Sequence, residues 1–356
     1  MASVHKMTNG RYRVLWREDG RQRQKNFQSA SEAKRFAATI ELPPEKKSSR
    51  ITVADWLAAY RDTESVHKRG AKQECLRINR FIERPFAAKK LTELTTRDLQ
   101  KYFDDRLKEP SQKYIGTLSP ATVHKEIHTL SAAFSKAVKM GLIALNPCTG
   151  VELPRPPEHR ERVASDEDIK KLLVASGWDG DSVPATGVQL VIAAFLFACK
   201  TGMRSGEILR IEEAWIDGCV IHIPHEATKT DSRRDVALSS EARRILDLVR
   251  KRGDVPLIFG GVSDATRDAL FRKVRDRAGL GPVVDSEGRI IKEGLNFHDS
   301  RATFATWAAS PDPKTGVPRL DVLALARQTG HKNLKMLQRY YRASAEDIAT
   351  QLDKAS

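Results

Sequence analysis

From Thr52 to Val138 apolar residues recur every three or four positions, the period of helices with one buried face. Val53, Trp56, Leu57 and Tyr60 mark one such face, and further helices are expected over about 71–84, 96–108 and 119–139. In the last, Ser119-Pro120 supplies a cap followed by proline at the first helical position, and Leu130, Phe134 and Val138 are core-spaced. The start of the chain has a different rhythm. Arg11 to Arg17 alternates, with Tyr12, Val14 and Trp16 on one face and Arg11, Arg13 and Arg17 among the remaining positions. A Glu18-Asp19-Gly20 turn and the run Arg21 to Phe27 complete a hairpin, and Ser29-Ala30-Ser31-Glu32 caps a short helix to about Ile40.

In the second half, Ser165-Asp166-Glu167-Asp168 opens a helix with acids at its positive end, and Val188 to Cys199 reads as a buried helix. Short strands are expected between Ile211 and Leu238, then helices from Ser239 to Arg252 and from Thr266 to Ala278. Proline-bearing stretches at Leu42 to Ser49 and Asn146 to Pro157 read as linkers. The expected fold is therefore mainly α with small β elements (α+β). It divides into a ββα or βββα unit over 1–45, an all-helical unit over 46–150 and a mixed α/β unit over 160–356.

Charge narrows the partners. A formal net charge of +15 over 356 residues favours a polyanion, and double-stranded DNA is the leading candidate. No 18-residue apolar span and no apolar leader is present, so no membrane partner is expected and a cytoplasmic location is. The four cysteines, Cys75, Cys148, Cys199 and Cys219, form no CxxC and imply no disulfide framework. His222 and His225 bracket Ile223-Pro224 without Cys, Asp or Glu at ligand spacing, and His124 and His128 share a helix face that suits DNA or solvent better than zinc. No metal, dinucleotide fingerprint or Walker loop is expected, and no cofactor.

Candidate chemistry collects late in the chain. Arg204 follows the turn at Gly202, with Glu207 three residues on and able to share its face. Lys229 lies between two β-like runs, where a hairpin lysine can deliver a proton. His298-Asp299-Ser300-Arg301, then Gly330-His331, then Gln338-Arg339-Tyr340-Tyr341 add two imidazoles, a guanidinium and two phenols. Arginine presents a planar fork matched to two phosphate oxygens, histidine exchanges a proton near neutrality, and tyrosine offers an attacking oxygen that cations and a base must activate. Singly, each residue has an ordinary surface or packing reading.

Jointly, Arg204, Lys229, His298-x-x-Arg301, His331 and Tyr340 nine residues later fill six positions in the order and local spacing of the tyrosine recombinase (phage integrase) family, which the chain resembles over roughly residues 160–350. Ser300 departs from it, where that family more often carries Leu, and a change of packing rather than chemistry is expected. The resemblance implies a site-specific recombinase that cleaves and rejoins DNA through a 3′-phosphotyrosine. Arg204 and Arg301 would clamp the phosphate, Lys229 would protonate the leaving 5′ oxygen, His298 would take the tyrosine proton or orient the phosphate, and His331 would bond a phosphate oxygen. Glu207 would support Arg204. Spacing from His331 selects Tyr340 over Tyr341, which on a helix would point about 100° away.

The basic N-terminal unit resembles the arm-binding domain of phage or genomic-island integrases, and the helical unit the core-binding domain. Candidate DNA contacts are Arg11, Arg13 and Arg17 in the first, and Lys113, Thr117, Thr122, His124 and Lys125 in the second. The family further implies a homotetramer on DNA, with residues 343–356 as an exchanged C-terminal helix, and leaves open a host DNA-bending protein and a directionality factor. An invertase, a transposon recombinase, a chromosome-dimer resolvase, a type IB topoisomerase and a non-catalytic DNA-binding protein are the alternatives.

Overall fold

The computed structural model describes residues 3–18, 21–41, 51–111, 116–155, 160, 162–228, 232–253, 256–287 and 289–341, apart from the side chains of 17, 18, 21, 35, 36 and 38–41. Contacts divide the chain into two units, Met1–Glu158 and His159–Ser356.

The first unit opens with β1 (Ser3–Lys6), β2 (Tyr12–Glu18) and β3 (Arg21–Phe27), an antiparallel sheet in that order, followed by α1 (Ala30–Glu41). Alternation in β2 buries Val14, which meets Ala33 and Ala37 of α1, while Tyr12 and Trp16 border this small core. Four helices follow: α2 (Val53–Thr63), α3 (Ala71–Ile82), α4 (Thr96–Lys108) and α5 (Pro120–Lys139). Thr52 with Asp55, and Thr95 with Asp98, form reciprocal capping boxes that fix the starts of α2 and α4, and Ser119 caps α5. The predicted face Val53, Trp56, Leu57 and Tyr60 is buried with Phe81, Phe103, Leu130 and Phe134, and Val138 packs against that core partly buried. One charge pair is buried there too: Arg106 on α4 grips Glu126 on α5 through two hydrogen bonds of 3.0 and 2.9 Å.

The second unit is built around α7 (Gly187–Thr201), whose residues from Leu190 to Cys199 are all buried. Around it pack α6 (Asp166–Ser176), α9 (Ser240–Arg250), α10 (Asp264–Arg277) and α11 (Asp299–Ala309). A helix apolar all round needs neighbours on every side, which is the arrangement found. After α7 come the short α8 (Ser205–Ile208) and an antiparallel sheet of β4 (Ile216–Asp217), β5 (Val220–Ile223) and β6 (Arg234–Ala237). A second hairpin, β7 (Val283–Val284) with β8 (Ile290–Lys292), precedes α11, and α12 (Val322–Thr329) leads to 3₁₀ turns at Leu334–Met336 and Gln338–Tyr340. The expected helix around Tyr340 is therefore a single 3₁₀ turn, with Tyr341 already outside helical geometry at φ −98° and ψ 88°. Among the described residues no helix is long and apolar enough to cross a membrane.

Candidate active site

Two helix ends build the site. Gly202 closes α7 at φ +66° and Gly330 closes α12 at φ +69°, left-handed conformations that glycine adopts without penalty. Each carbonyl then serves an arginine from elsewhere in the fold. Arg301, on α11, donates through Nη1 to the Gly202 oxygen at 2.5 Å, and Arg204, ahead of α8, donates through Nη2 to the Gly330 oxygen at 3.0 Å. The turn after each helix thus anchors a guanidinium contributed from a distant part of the sequence.

Around this cross-brace the other groups fall into place. Glu207, almost fully buried, accepts from Arg204 Nη1 at 3.1 Å and from the Arg204 backbone N–H at 2.9 Å. It also accepts from Arg234 Nη2 at 2.7 Å, a residue of β6 that the sequence pattern did not single out. His331 lies beside Arg301, its ring nitrogens 3.3 and 3.4 Å from Nη2. Its Nδ1 sits 2.7 Å from the buried Thr329 hydroxyl, which donates to the Leu325 carbonyl at 2.6 Å. With that hydroxyl proton spent, the Thr329 oxygen accepts from Nδ1–H and fixes the tautomer that leaves Nε2 toward Arg301.

Among the described residues Arg204 and Arg234 share the Glu207 carboxylate, with Arg301 near enough to feel all three charges, and the excess positive charge shows in the acid–base chemistry. Burial, then the charges of Arg204 and Arg234, brings the Arg301 guanidinium down to about 9, with Glu207 and Tyr340 opposing. Burial, then Arg301, Arg204, Arg234 and Arg339, takes the His331 imidazole down to about 3, so it is neutral at pH 7. Arg234 is lowered as well, by burial first. A buried cluster short of negative charge is a preorganised anion site.

The tyrosines divide. Tyr341 donates from its hydroxyl to the Leu320 carbonyl at 2.7 Å, and burial pushes its phenol up to about 12. Tyr340 packs half-buried beside the cluster of Phe304, Leu325 and Leu337, near enough to act on the charge of Arg301. His298 is exposed at the start of α11, three residues before Arg301. That start is pinned by buried Asp299, whose carboxylate accepts from the Asn296 N–H and from Arg160 Nε and Nη2, each at 2.8 Å. Ser300 is buried and bonds the Phe297 carbonyl at 2.6 Å, so its hydroxyl is satisfied within the helix start.

Lys229 and Lys113, the side chain of Arg17, and residues 343–356 lie outside the described residues. Beside Lys229, buried Thr228 accepts from the Ser232 N–H at 3.0 Å. Of the other candidate DNA contacts, Arg11, Thr117 and Lys125 are exposed. Arg13 donates from Nε to Asn26 Oδ1 at 3.1 Å, the Thr122 hydroxyl meets Ser119 Oγ at 3.0 Å, and His124 Nε2 meets the Pro154 carbonyl at 2.7 Å.

Sequence reasoning missed Arg234, Thr329 and the role of Gly330. A signal for Arg234 existed, because on a strand it shares a face with Val236, which is buried. Choosing it over Arg233 needs the register to the residue.

The model described as "Phage integrase family" matches residues 168–347, and "Phage integrase SAM-like domain" matches residues 54–151. A Haemophilus influenzae protein described as an integrase/recombinase is 30% identical over 357 residues, covering 96% of this chain and 87% of the relative. Among solved structures, the Tn1549 transposon integrase in complex with a circular intermediate DNA aligns with TM-score 0.66 at 16% identity, covering 86% of this chain and 100% of its own. A lambda integrase tetramer bound to a Holliday junction aligns with TM-score 0.63 at 18% identity, covering 95% and 94%.

Proposed function

Since the chain belongs to the phage integrase family and is a site-specific recombinase that cleaves and rejoins DNA, we propose that Tyr340 is its nucleophile and that Arg204, Arg301 and His331 hold the scissile phosphate. The observation that carries this reading is the charge balance of the cluster: among the described residues, Arg204, Arg234 and Arg301 gather around the single carboxylate of Glu207, with His331 beside them.

In the step proposed, the Tyr340 oxygen forms a bond to phosphorus as the bond to the 5′ oxygen breaks. The phenolic proton passes to His298, and Lys229 gives a proton to the leaving 5′ oxygen. Arg204 and Arg301 are fixed donors to the non-bridging oxygens, where charge redistributes in the transition state. His331 is neutral until the phosphate arrives. The phosphate charge favours its protonated form, and Nε2 then donates to a phosphate oxygen. Because the phosphodiester energy is kept in the phosphotyrosine, attack by a 5′-hydroxyl restores the duplex without a nucleotide cofactor. Tyr341, held by Leu320, supports the fold.

The domains expected from the sequence take their roles from the same reading. Residues 1–45, with Arg11, Arg13 and Arg17, bind accessory arm sites. Residues 46–150, with Lys113, Thr117, Thr122, His124 and Lys125, grip the core site, and residues 160–356 carry the chemistry. The working assembly is a homotetramer on DNA, and the task is integration and excision of a phage or mobile element in the bacterial cytoplasm, with a host DNA-bending protein and a directionality factor as further partners.

The test is recombination of a supercoiled plasmid carrying two crossover sites, taken from the junctions of the mobile element, in chelator and without ATP. Deletion circles from direct repeats that Tyr340→Phe fails to produce support the proposal. Tight binding without recombinant product, even with host extract added, reduces the protein to a DNA-binding role. Products from inverted repeats alone assign it to inversion instead.

A further inference from the structure

Arg234 lies outside the six residues that the family resemblance singles out, yet among the described residues it is the most enclosed cation of the site after Arg301. It begins β6, and its side chain is 9% exposed. We propose that Arg234 is a positioning residue of strand cleavage: through Glu207 and the Gly330 turn it holds the Arg204 guanidinium and the His331 ring where the scissile phosphate binds. This rests on the reading of the site given above.

The contacts close a ring. Arg234 Nη2 donates to Glu207 Oε2 at 2.7 Å, the opposite oxygen Oε1 accepts from Arg204 Nη1 at 3.1 Å, and Arg204 Nη2 reaches the Gly330 carbonyl at 3.0 Å. The last side of the ring is steric. A Cβ on Gly330 would stand 2.4 Å from Arg234 Nη1 and 3.0 Å from its Cδ, so the guanidinium lies flat against the turn that presents His331. Displacing Arg234 loosens one side of Glu207 and removes the floor under that turn.

The way Arg234 is held argues that its charge matters, beyond its volume. Among the described residues its buried Nε and Nη1 meet no hydrogen-bond partner, which costs free energy that an apolar side chain of similar length would avoid. A lysine would keep the charge but lose the fork that spans Glu207 and the turn. The groups facing His331 are Arg301 from α11, Arg204 ahead of α8, Arg234 from β6 and Arg339 from the last 3₁₀ turn, with Thr329 on its own element and Glu207 between two of the arginines. Burial comes first in keeping the imidazole neutral in the free protein, and Arg234 is one of four cations that add to it. Charge and fork can be separated by experiment.

The experiment uses the full-length protein as wild type, Arg234→Met and Arg234→Lys, with two readouts. The first is the pH titration of His331 by NMR on histidine-labelled protein, assigned with His331→Asn. The second is single-turnover formation of the covalent adduct on a nicked crossover-site substrate, alongside DNA affinity. Arg234→Met should move the His331 titration toward neutrality, while Arg234→Lys leaves it where wild type has it. Both variants should cleave about 10²-fold more slowly, the loss typical of a misplaced reacting group, while binding DNA within about threefold of wild type. An unmoved His331 titration in Arg234→Met, or a wild-type cleavage rate in Arg234→Lys, overturns the inference. If Arg234→Met does not fold, the Arg234→Lys rate decides. If wild type itself forms no adduct, the nucleophile reading falls and the His331 titration still decides the role of Arg234.

Discussion

His331 shows how one side chain reports on its neighbours. An imidazole of ordinary value 6.5 is brought to about 3 by burial and by four arginines. Its folded value lies below its unfolded one, so between those limits the unfolded chain binds more protons and stability falls as the pH drops. Urea midpoints should therefore decline from about pH 6.5 toward pH 3, and the decline should be shallower in His331→Asn. Equal slopes for the two proteins would mean that the ring is not held neutral. The sequence singled out His331 as a candidate, since its spacing to Tyr340 is local. It could not show the Thr329 hydroxyl that sets the tautomer, because a threonine two residues before a histidine has no pattern of its own.

Helix ends do the positioning. The termini of α2, α4, α6 and α7 follow from capping boxes that can be read directly as Thr52/Asp55, Thr95/Asp98, Ser165/Asp168 and Thr186/Gln189. The C-terminal turns are less legible, since a glycine after a helix does not say whose side chain its carbonyl will receive. The hairpin of β7 and β8 escaped notice for another reason. Its strands are short and exposed, so no alternation marks them. The two site glycines make separable predictions. A Cβ at Gly202 would meet Phe304 Cδ1 at 2.5 Å and Thr329 Cγ2 at 2.9 Å inside packed core, so Gly202→Ala should cost roughly 2–3 kcal/mol of stability. At Gly330 the obstacle is the guanidinium end of Arg234, which can give way, so Gly330→Ala should cost about 1–2 kcal/mol from the left-handed backbone yet lower cleavage more than Gly202→Ala does. Urea unfolding with single-turnover cleavage checks both. A Gly330→Ala enzyme with full cleavage activity would contradict the brace.

Across the chain, the type of element was readable where composition and period change together. A basic alternating start, a helical stretch with four core faces and a mixed second half correspond to the sheet with α1, to α2 through α5, and to the unit around α7. The tertiary cross-brace was not readable, because Gly202 with Arg301 and Arg204 with Gly330 are 99 and 126 residues apart. Long-range pairing of this kind leaves no local signature. The central assignment of the proposed chemistry is which tyrosine carries the DNA. The decisive measurement is to trap the adduct on a nicked crossover-site duplex, digest the DNA to a nucleotide remnant, cleave with trypsin and sequence the peptide following Arg339 by tandem mass spectrometry. A phosphonucleotide mass on Tyr340, absent in Tyr340→Phe and retained in Tyr341→Phe, is the predicted result; the same mass on Tyr341, or no adduct at all on DNA that the protein binds tightly, would contradict it.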